Sequence, residues 1–289
     1  MSMQYRKLTR PIERKGAGLH SGRDFRLSIE PSDEALSLEA DGTRLPLSRL
    51  ALEGTGRGTD LVFPDGKRVR TCEHILSALA GLGVWRAKLS ITPASGGFPL
   101  EMPGLDGCSL GLAGEIMEKS VPVESEEEKP LPFALKYPIH VGGATRFVVA
   151  LPSSSFHITY VIHFDAAHIR TQIFDYFDNT DCNGTGVYYL REIAPARTFA
   201  LRSEIDALRV AGLAVGGSLE NAILVDDGRV ETAGGLRFPD EFVRHKTLDL
   251  LGDLACLGRP LLAHVVAVRA GHALHLQLVE RLRAASRLD

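Results

Sequence analysis

The sequence predicts an α+β protein: two similar two-layer α/β sandwich domains, a pseudo-repeat whose helices pack together at the interface, with the candidate site between them. Three observations predict it. A helix–strand–helix order occurs twice, led by EHILSALAGLG in the first half and RHKTLDLLGDLACLG in the second. The two leading helices begin alike, with His74 and His245 at near-equivalent points. Between the copies runs VPVESEEEKPL (121–131), proline and acids that read as a solvated linker. Repetition of a folding unit suggests halves packed against each other, here 1–125 and 131–289. If they face each other, His74 meets His245 and Asp249 across the seam.

Taken in order, residues 4–30 alternate as short strands around the turn KGAGLHSG (Lys15–Gly22), where His20 reads as a packing or hydrogen-bonding residue. A small hairpin insert is expected at about 40–62, ending in GTGRGTDLVF. In RTCEHILSALAGLGV, Ile75, Leu76, Leu79 and Leu82 follow helical spacing, and Gly81 and Gly83 end it. WRAKLSITP alternates as a strand, Ser95–Gly107 is a turn-rich loop, and Ser109 is placed to cap a second helix to Lys119. Strands follow in 133–164, then a polar, turn-rich stretch at 165–186. A helical pattern broken by Pro195 spans 191–211, and a strand lies in GLAVGGSLENAILV. PLLAHVVAVRA is a strand and GHALHLQLVERLRAA the last helix.

The helix Asp240–Gly258 has Pro239 before its first turn and Gly258 then Pro260 closing it. Phe242, Val243, Leu248, Leu250, Leu251, Leu254 and Leu257 make it apolar over much of its circumference, so it should be largely buried. His245, Asp249 and Asp253 recur at intervals of four and share one slowly drifting stripe. For an isolated His/Asp pair, a solvent-facing stripe is the commoner reading. The other reading has His245 and Asp249 clasp one metal from adjacent turns, with Asp253 hydrogen-bonded behind them. That clip needs a third protein ligand from elsewhere.

The chain has 289 residues, enough for one large or two ordinary domains with a substantial core. A net charge of −3 argues against a general nucleic-acid binder. Cys72, Cys108, Cys182 and Cys256 are widely spaced, which argues against a cysteine metal site or disulfide framework and for a reducing, cytoplasmic setting. No apolar run approaches the roughly 20 residues of a membrane span, and the N-terminus lacks a signal-peptide core. With no exposed apolar helix face or coiled coil in view, a monomer is expected.

The motifs RKGAGLHSG, TCEHILSALAGLG, EMPGLDG, ARTF, FPDEFVRHKTLDLLGDL and AGHAL resemble, in this order, those of UDP-3-O-acyl-N-acetylglucosamine deacetylase, the zinc amidase of lipid A biosynthesis in Gram-negative bacteria. The resemblance covers nearly the whole chain. It implies zinc (Zn2+) held by His74, His245 and Asp249, with Glu73 as catalytic glutamate and His272 as general acid and charge stabiliser. It further implies Asp253 as the partner of His272, Thr198 at the oxyanion, and Asp106 supporting a zinc histidine. On the substrate side it implies Lys246 reaching the nucleotide of UDP-3-O-acyl-N-acetylglucosamine, Phe164 stacking on uracil and Arg146 near the diphosphate. An acyl passage is implied at about 199–217, with Phe199, Ile205, Leu213 and Ala214 in it.

The chain departs from the family pattern at GRGTDL, where apolar or cysteine residues are usual and only Thr59 and Leu61 fit, at Cys108 in place of a serine, and in DAAHIRTQ after Phe164. These positions concern substrate fit. The first motivates a related zinc amidase acting on another acylated nucleotide sugar as the alternative. A binding homologue without chemistry is the second alternative, against which the complete acid/base set argues. Iron(II) occupies comparable nitrogen/oxygen sites.

Overall fold

Strict alternation builds the first sheet. In Asp24–Pro31, Phe25, Leu27 and Ile29 are buried while Arg26, Ser28 and Glu30 face the other side. The computed structural model describes residues 4–55, 57–177, 186–226 and 228–287; Cys182 and part of the turn-rich stretch 165–186 lie outside them. The sheet runs in the order Ile12–Ala17, Asp24–Pro31, Ala87–Pro93, Ser37–Ala40, Thr43–Pro46. Its central strand is antiparallel to Asp24–Pro31 and parallel to Ser37–Ala40, so it joins two hairpins.

The second half repeats this plan. Its order is Ile139–Gly142, Phe147–Pro152, Leu261–Val268, His157–Phe164, Arg170–Phe177, with Phe133–Ala134 added beside the central strand. The centre again lies antiparallel to one hairpin and parallel to the other. Each central strand follows a helix in sequence, as a parallel crossover requires.

The helices are α1 (Glu73–Gly81), α2 (Leu110–Glu118), α3 (Val187–Glu192), α4 (Arg202–Val210), α5 (Glu241–Ala255) and α6 (His272–Ala285). α1 and α5 pack directly on each other, and α5 also packs on α6. Every residue of α5 except Arg244 and Lys246 is buried, which removes the solvent-facing reading of the His245–Asp249–Asp253 stripe. Gly252 makes the α1–α5 contact feasible: a Cβ there would lie 1.9 Å from the Glu73 carbonyl oxygen.

Of residues 40–62, Thr43–Pro46 closes the edge of the main sheet. Ala51–Gly54 and Thr59–Val62 join Arg68–Arg70 and Leu100–Glu101 in a separate four-stranded sheet. A Cβ on Gly54 would meet the Ala273 backbone nitrogen at 2.9 Å, so this sheet reaches α6 of the other half.

The helical pattern expected over 191–211 is corrected. Phe199–Leu201 is a strand paired in parallel with Ile223–Val225, and helix resumes only in α4. Ser109 makes no capping hydrogen bond; its hydroxyl instead donates to the His74 carbonyl at 2.8 Å, tying α2 to α1. Among the described residues no helix is long and apolar enough to cross a membrane.

Candidate metal centre

α1 and α5 meet where their polar residues lie. From the first turn of α1, His74 Nε2 lies 3.6 Å from Asp249 Oδ1. On α5, His245 Nε2 lies 3.3 Å from the same oxygen. The two imidazoles stand edge to face, 5.0 Å apart. His74, His245 and Asp249 are all buried, and one donor atom from each lies within 4.8 Å of the others.

This donor set fits a metal ion. Among the described residues Asp249 Oδ1 is buried with no hydrogen-bond partner, an expensive state for a carboxylate oxygen. His245 Nδ1 lies 3.1 Å from the Ala196 carbonyl, which can only accept, so Nδ1 carries the proton and Nε2 faces Asp249 with a free lone pair. Burial pushes His245 down to about 4, holding it in the neutral form that ligates. In a tetrahedron with bonds of about 2.0–2.1 Å, donors sit about 3.3 Å apart, close to the observed separations.

The Ala196 carbonyl is itself held in place. Arg197, 2 % exposed, donates from its backbone N–H and Nε to Glu241 Oε1 at 3.0 and 2.9 Å, and from Nη2 to Oε2 at 3.2 Å. Its remaining donors reach Thr232 and the carbonyls of Ala233 and Gly235. A fully satisfied buried pair thus anchors the ARTF segment on the start of α5.

Glu73 stands beside the ligands: it, Asp249 and His272 also bring donor atoms within 4.8 Å of one another. Its Oε2 accepts from the Thr59 backbone N–H at 2.9 Å. Burial lifts its carboxyl above the ordinary glutamate value. On the other flank His272 Nε2 lies 3.6 Å from Asp249 Oδ2, and its Nδ1 donates to Asp253 Oδ2 at 2.8 Å. Burial opposes a charge on His272, but Asp253, Asp249 and Glu73 outweigh it and lift the imidazole to about 9. Burial likewise opposes ionisation of Asp253, yet His272 and His275 hold it down at about 2. Thr59 and His275 are absent from the sequence-derived site. Thr59 Oγ1 donates to Asp253 Oδ1 at 2.5 Å, and His275 Nδ1 donates to Asp253 Oδ2 at 2.8 Å. The i, i+3 spacing of His272 and His275 was the available signal for the second, and the fit of Thr59 within GRGTDL the signal for the first.

The other expected residues are distributed unevenly. Lys246 Nζ donates to Asp249 Oδ2 at 2.5 Å and so sits at the cluster. Phe164 packs edge to face on Phe199 at 5.5 Å, and Phe199 in turn lies 6.4 Å from the His245 ring, an aromatic path from the sheet to the ligands. Ile205 is half-buried on α4. Next to it in the same insert, the Val215 and Gly216 N–H groups donate to the His20 and Leu19 carbonyls, docking the 199–217 segment on the KGAGLHSG turn. Thr198 is bonded through its backbone to Gly107 and Ile223; among the described residues no hydrogen bond joins its hydroxyl to the cluster. Arg146 is exposed in the turn before Phe147. Asp106, expected to support a metal histidine, is instead held by the Cys108 thiol at 3.1 Å and by Arg237 at 3.4 Å, while among the described residues His74 Nδ1 is buried without a partner. Arg237, remote in sequence, pairs with the carboxylate where both side chains are partly exposed.

The family model described as UDP-3-O-acyl N-acetylglycosamine deacetylase matches residues 5–284. A protein of Syntrophus aciditrophicus named UDP-3-O-acyl-N-acetylglucosamine deacetylase is 36% identical over 282 residues, covering 96% of this chain and 85% of its own length. Proteins of the same name from Chlamydia muridarum and Neisseria meningitidis serogroup A are 35% and 33% identical, covering 96% and 98% of this chain and 94% and 91% of their own. With that coverage, and with a metal-ready cluster at the seam of two repeated halves, the chain belongs to the UDP-3-O-acyl N-acetylglycosamine deacetylase family.

Proposed function

We propose that the chain is a zinc-dependent deacetylase of lipid A biosynthesis. It hydrolyses the 2-N-acetyl group of UDP-3-O-(3-hydroxyacyl)-N-acetylglucosamine to the free amine and acetate. The observation that carries this reading is the buried His74–His245–Asp249 set, flanked by a carboxylate on one side and a carboxylate-backed imidazole on the other. His74, His245 and Asp249 would hold the zinc, which when bound would supply a water of lowered pKa and a Lewis acid for the amide carbonyl. Glu73, raised by burial, is suited to take the proton of the attacking water. The Thr198 hydroxyl donates to the oxyanion that forms on the amide. His272, kept charged by Asp253, delivers its Nε2 proton to the departing sugar amine.

Lys246, Arg146 and Phe164 bind the nucleotide half. Phe199, Ile205, Leu213 and Ala214 line the passage for the acyl chain. A cytoplasmic setting fits the free, buried thiols of Cys72, Cys108 and Cys256.

Glu73→Ala tests the reading. It should keep one zinc per chain while deacetylation falls by about 10²–10⁴-fold; parental activity would remove Glu73 from the mechanism. Assay of 3-O-acylated against unacylated UDP-N-acetylglucosamine tests the substrate, and equal turnover of the two would overturn it.

A further inference from the structure

We propose that His275, anchored by Tyr160, is a positioning residue that holds His272 in its working orientation through Asp253; the inference rests on the deacetylase reading. His275 lies one turn beyond His272 on α6 and is fully buried. Both of its nitrogens are engaged. Nδ1 donates to Asp253 Oδ2 at 2.8 Å, so Nε2 is the acceptor, and the Tyr160 hydroxyl donates to it at 2.9 Å. Tyr160, also fully buried, belongs to His157–Phe164, a strand hydrogen-bonded on both sides within the second sheet. A continuous chain therefore runs from a rigid sheet through Tyr160 and His275 to Asp253, and from there to His272.

The geometry at Asp253 explains why the chain matters. Its Oδ2 accepts from two imidazoles at once, His272 and His275, each at 2.8 Å, while Oδ1 accepts from Thr59. Without His275 the carboxylate keeps, among the described residues, Thr59 as its single hydrogen-bond anchor apart from His272 itself. It can then pivot and carry the His272 ring with it. The Nε2 proton of His272, aimed beside Asp249, loses its fixed direction. Groups that orient a reacting side chain in this way typically affect activity about 10–100-fold. They act on the chemical step and not on substrate affinity.

The test compares the parent with His275→Leu, His275→Asn and Tyr160→Phe. Asparagine retains an N–H donor near the position of Nδ1; leucine retains none. With UDP-3-O-acyl-N-acetylglucosamine as substrate, His275→Leu should lower kcat about 10–100-fold with KM within about twofold of the parent. His275→Asn should recover most of that loss, and Tyr160→Phe should fall between. Zinc content should stay at the parental level in all three. Parental kcat in His275→Leu, or equal losses in the leucine and asparagine variants, would overturn the proposal. Should the leucine variant not fold, Tyr160→Phe decides: a lowered kcat at unchanged KM supports the role, and an unchanged kcat overturns it. A readout independent of turnover separates this proposal from the substrate assignment. The hydrogen-bonded Nδ1–H proton resonance of His272 should exchange faster with solvent in Tyr160→Phe than in the parent; an unchanged exchange rate would overturn the proposal even if the parent acts on another amide.

Discussion

Replacing Gly252 by alanine strikes the contact on which the centre depends. The added Cβ would lie 1.9 Å from the Glu73 carbonyl oxygen, 2.6 Å from its carbonyl carbon and 2.8 Å from its Cα. All three are backbone atoms of the first turn of α1, so no side-chain rotation relieves the clash. A carbon settles against a carbonyl oxygen at about 3.3–3.6 Å, so α1 must withdraw from α5 by about 1.5 Å. His74 moves with α1, and its Nε2, now 3.6 Å from Asp249 Oδ1, would stand about 5 Å away. That is too far for two bonds of about 2 Å to a shared ion. Overpacking of this kind costs about 1–3 kcal/mol of stability. Misplacement of reacting groups by about 1 Å costs on the order of 10²-fold in rate. Gly252→Ala should therefore show a lowered melting temperature, weaker zinc retention against a chelator, and kcat/KM down by about 10²-fold or more. Parental zinc retention and kcat/KM in a folded variant would refute the close approach of the two helices.

Two further expectations concern pH. The proton on His272 is lost as the pH rises through about 9, so kcat should hold to that point and fall above it. Asp253→Asn should move the fall to lower pH, and an unmoved alkaline limb would remove Asp253 from the proton transfer. Asp60, buried beside Thr59, is lifted by burial to about 6 from an ordinary 3.8. A raised carboxyl contributes stability below its unfolded value that is lost as the pH rises through the folded one. Asp60→Asn should therefore be more stable than the parent at pH 8 and no different from it near pH 3.5. Equal melting temperatures of the two proteins at pH 8 would contradict this.

Periodicity explains what was legible in the sequence. The four-residue spacing of His245, Asp249 and Asp253 on an apolar helix fixes a polar stripe inside a core, because helical geometry is local. The repeated helix–strand–helix order likewise carries the doubled sheet plan, since a parallel crossover must follow the helix that spans it. What escaped depends on partners remote in sequence. Phe199–Leu201 becomes a strand because Ile223–Val225 lies beside it, and nothing within the segment announces that pairing. Asp106 is drawn to Arg237, 131 residues away. Ser109 has a capping residue's identity, yet the His74 carbonyl on another helix takes its hydroxyl. His275 lay within reach of helical spacing, but its role emerges only once Tyr160 of a different strand occupies its second nitrogen.

The proposed chemistry needs one ion shared by α1 and α5, and X-ray absorption at the zinc edge measures that directly. The zinc-loaded protein should contain one zinc per chain with two imidazole nitrogens at about 2.0–2.1 Å and carboxylate oxygen at about 2.0–2.2 Å. His74→Ala should lose one nitrogen neighbour, and Asp249→Ala the carboxylate. A zinc environment unchanged by either substitution would contradict the account.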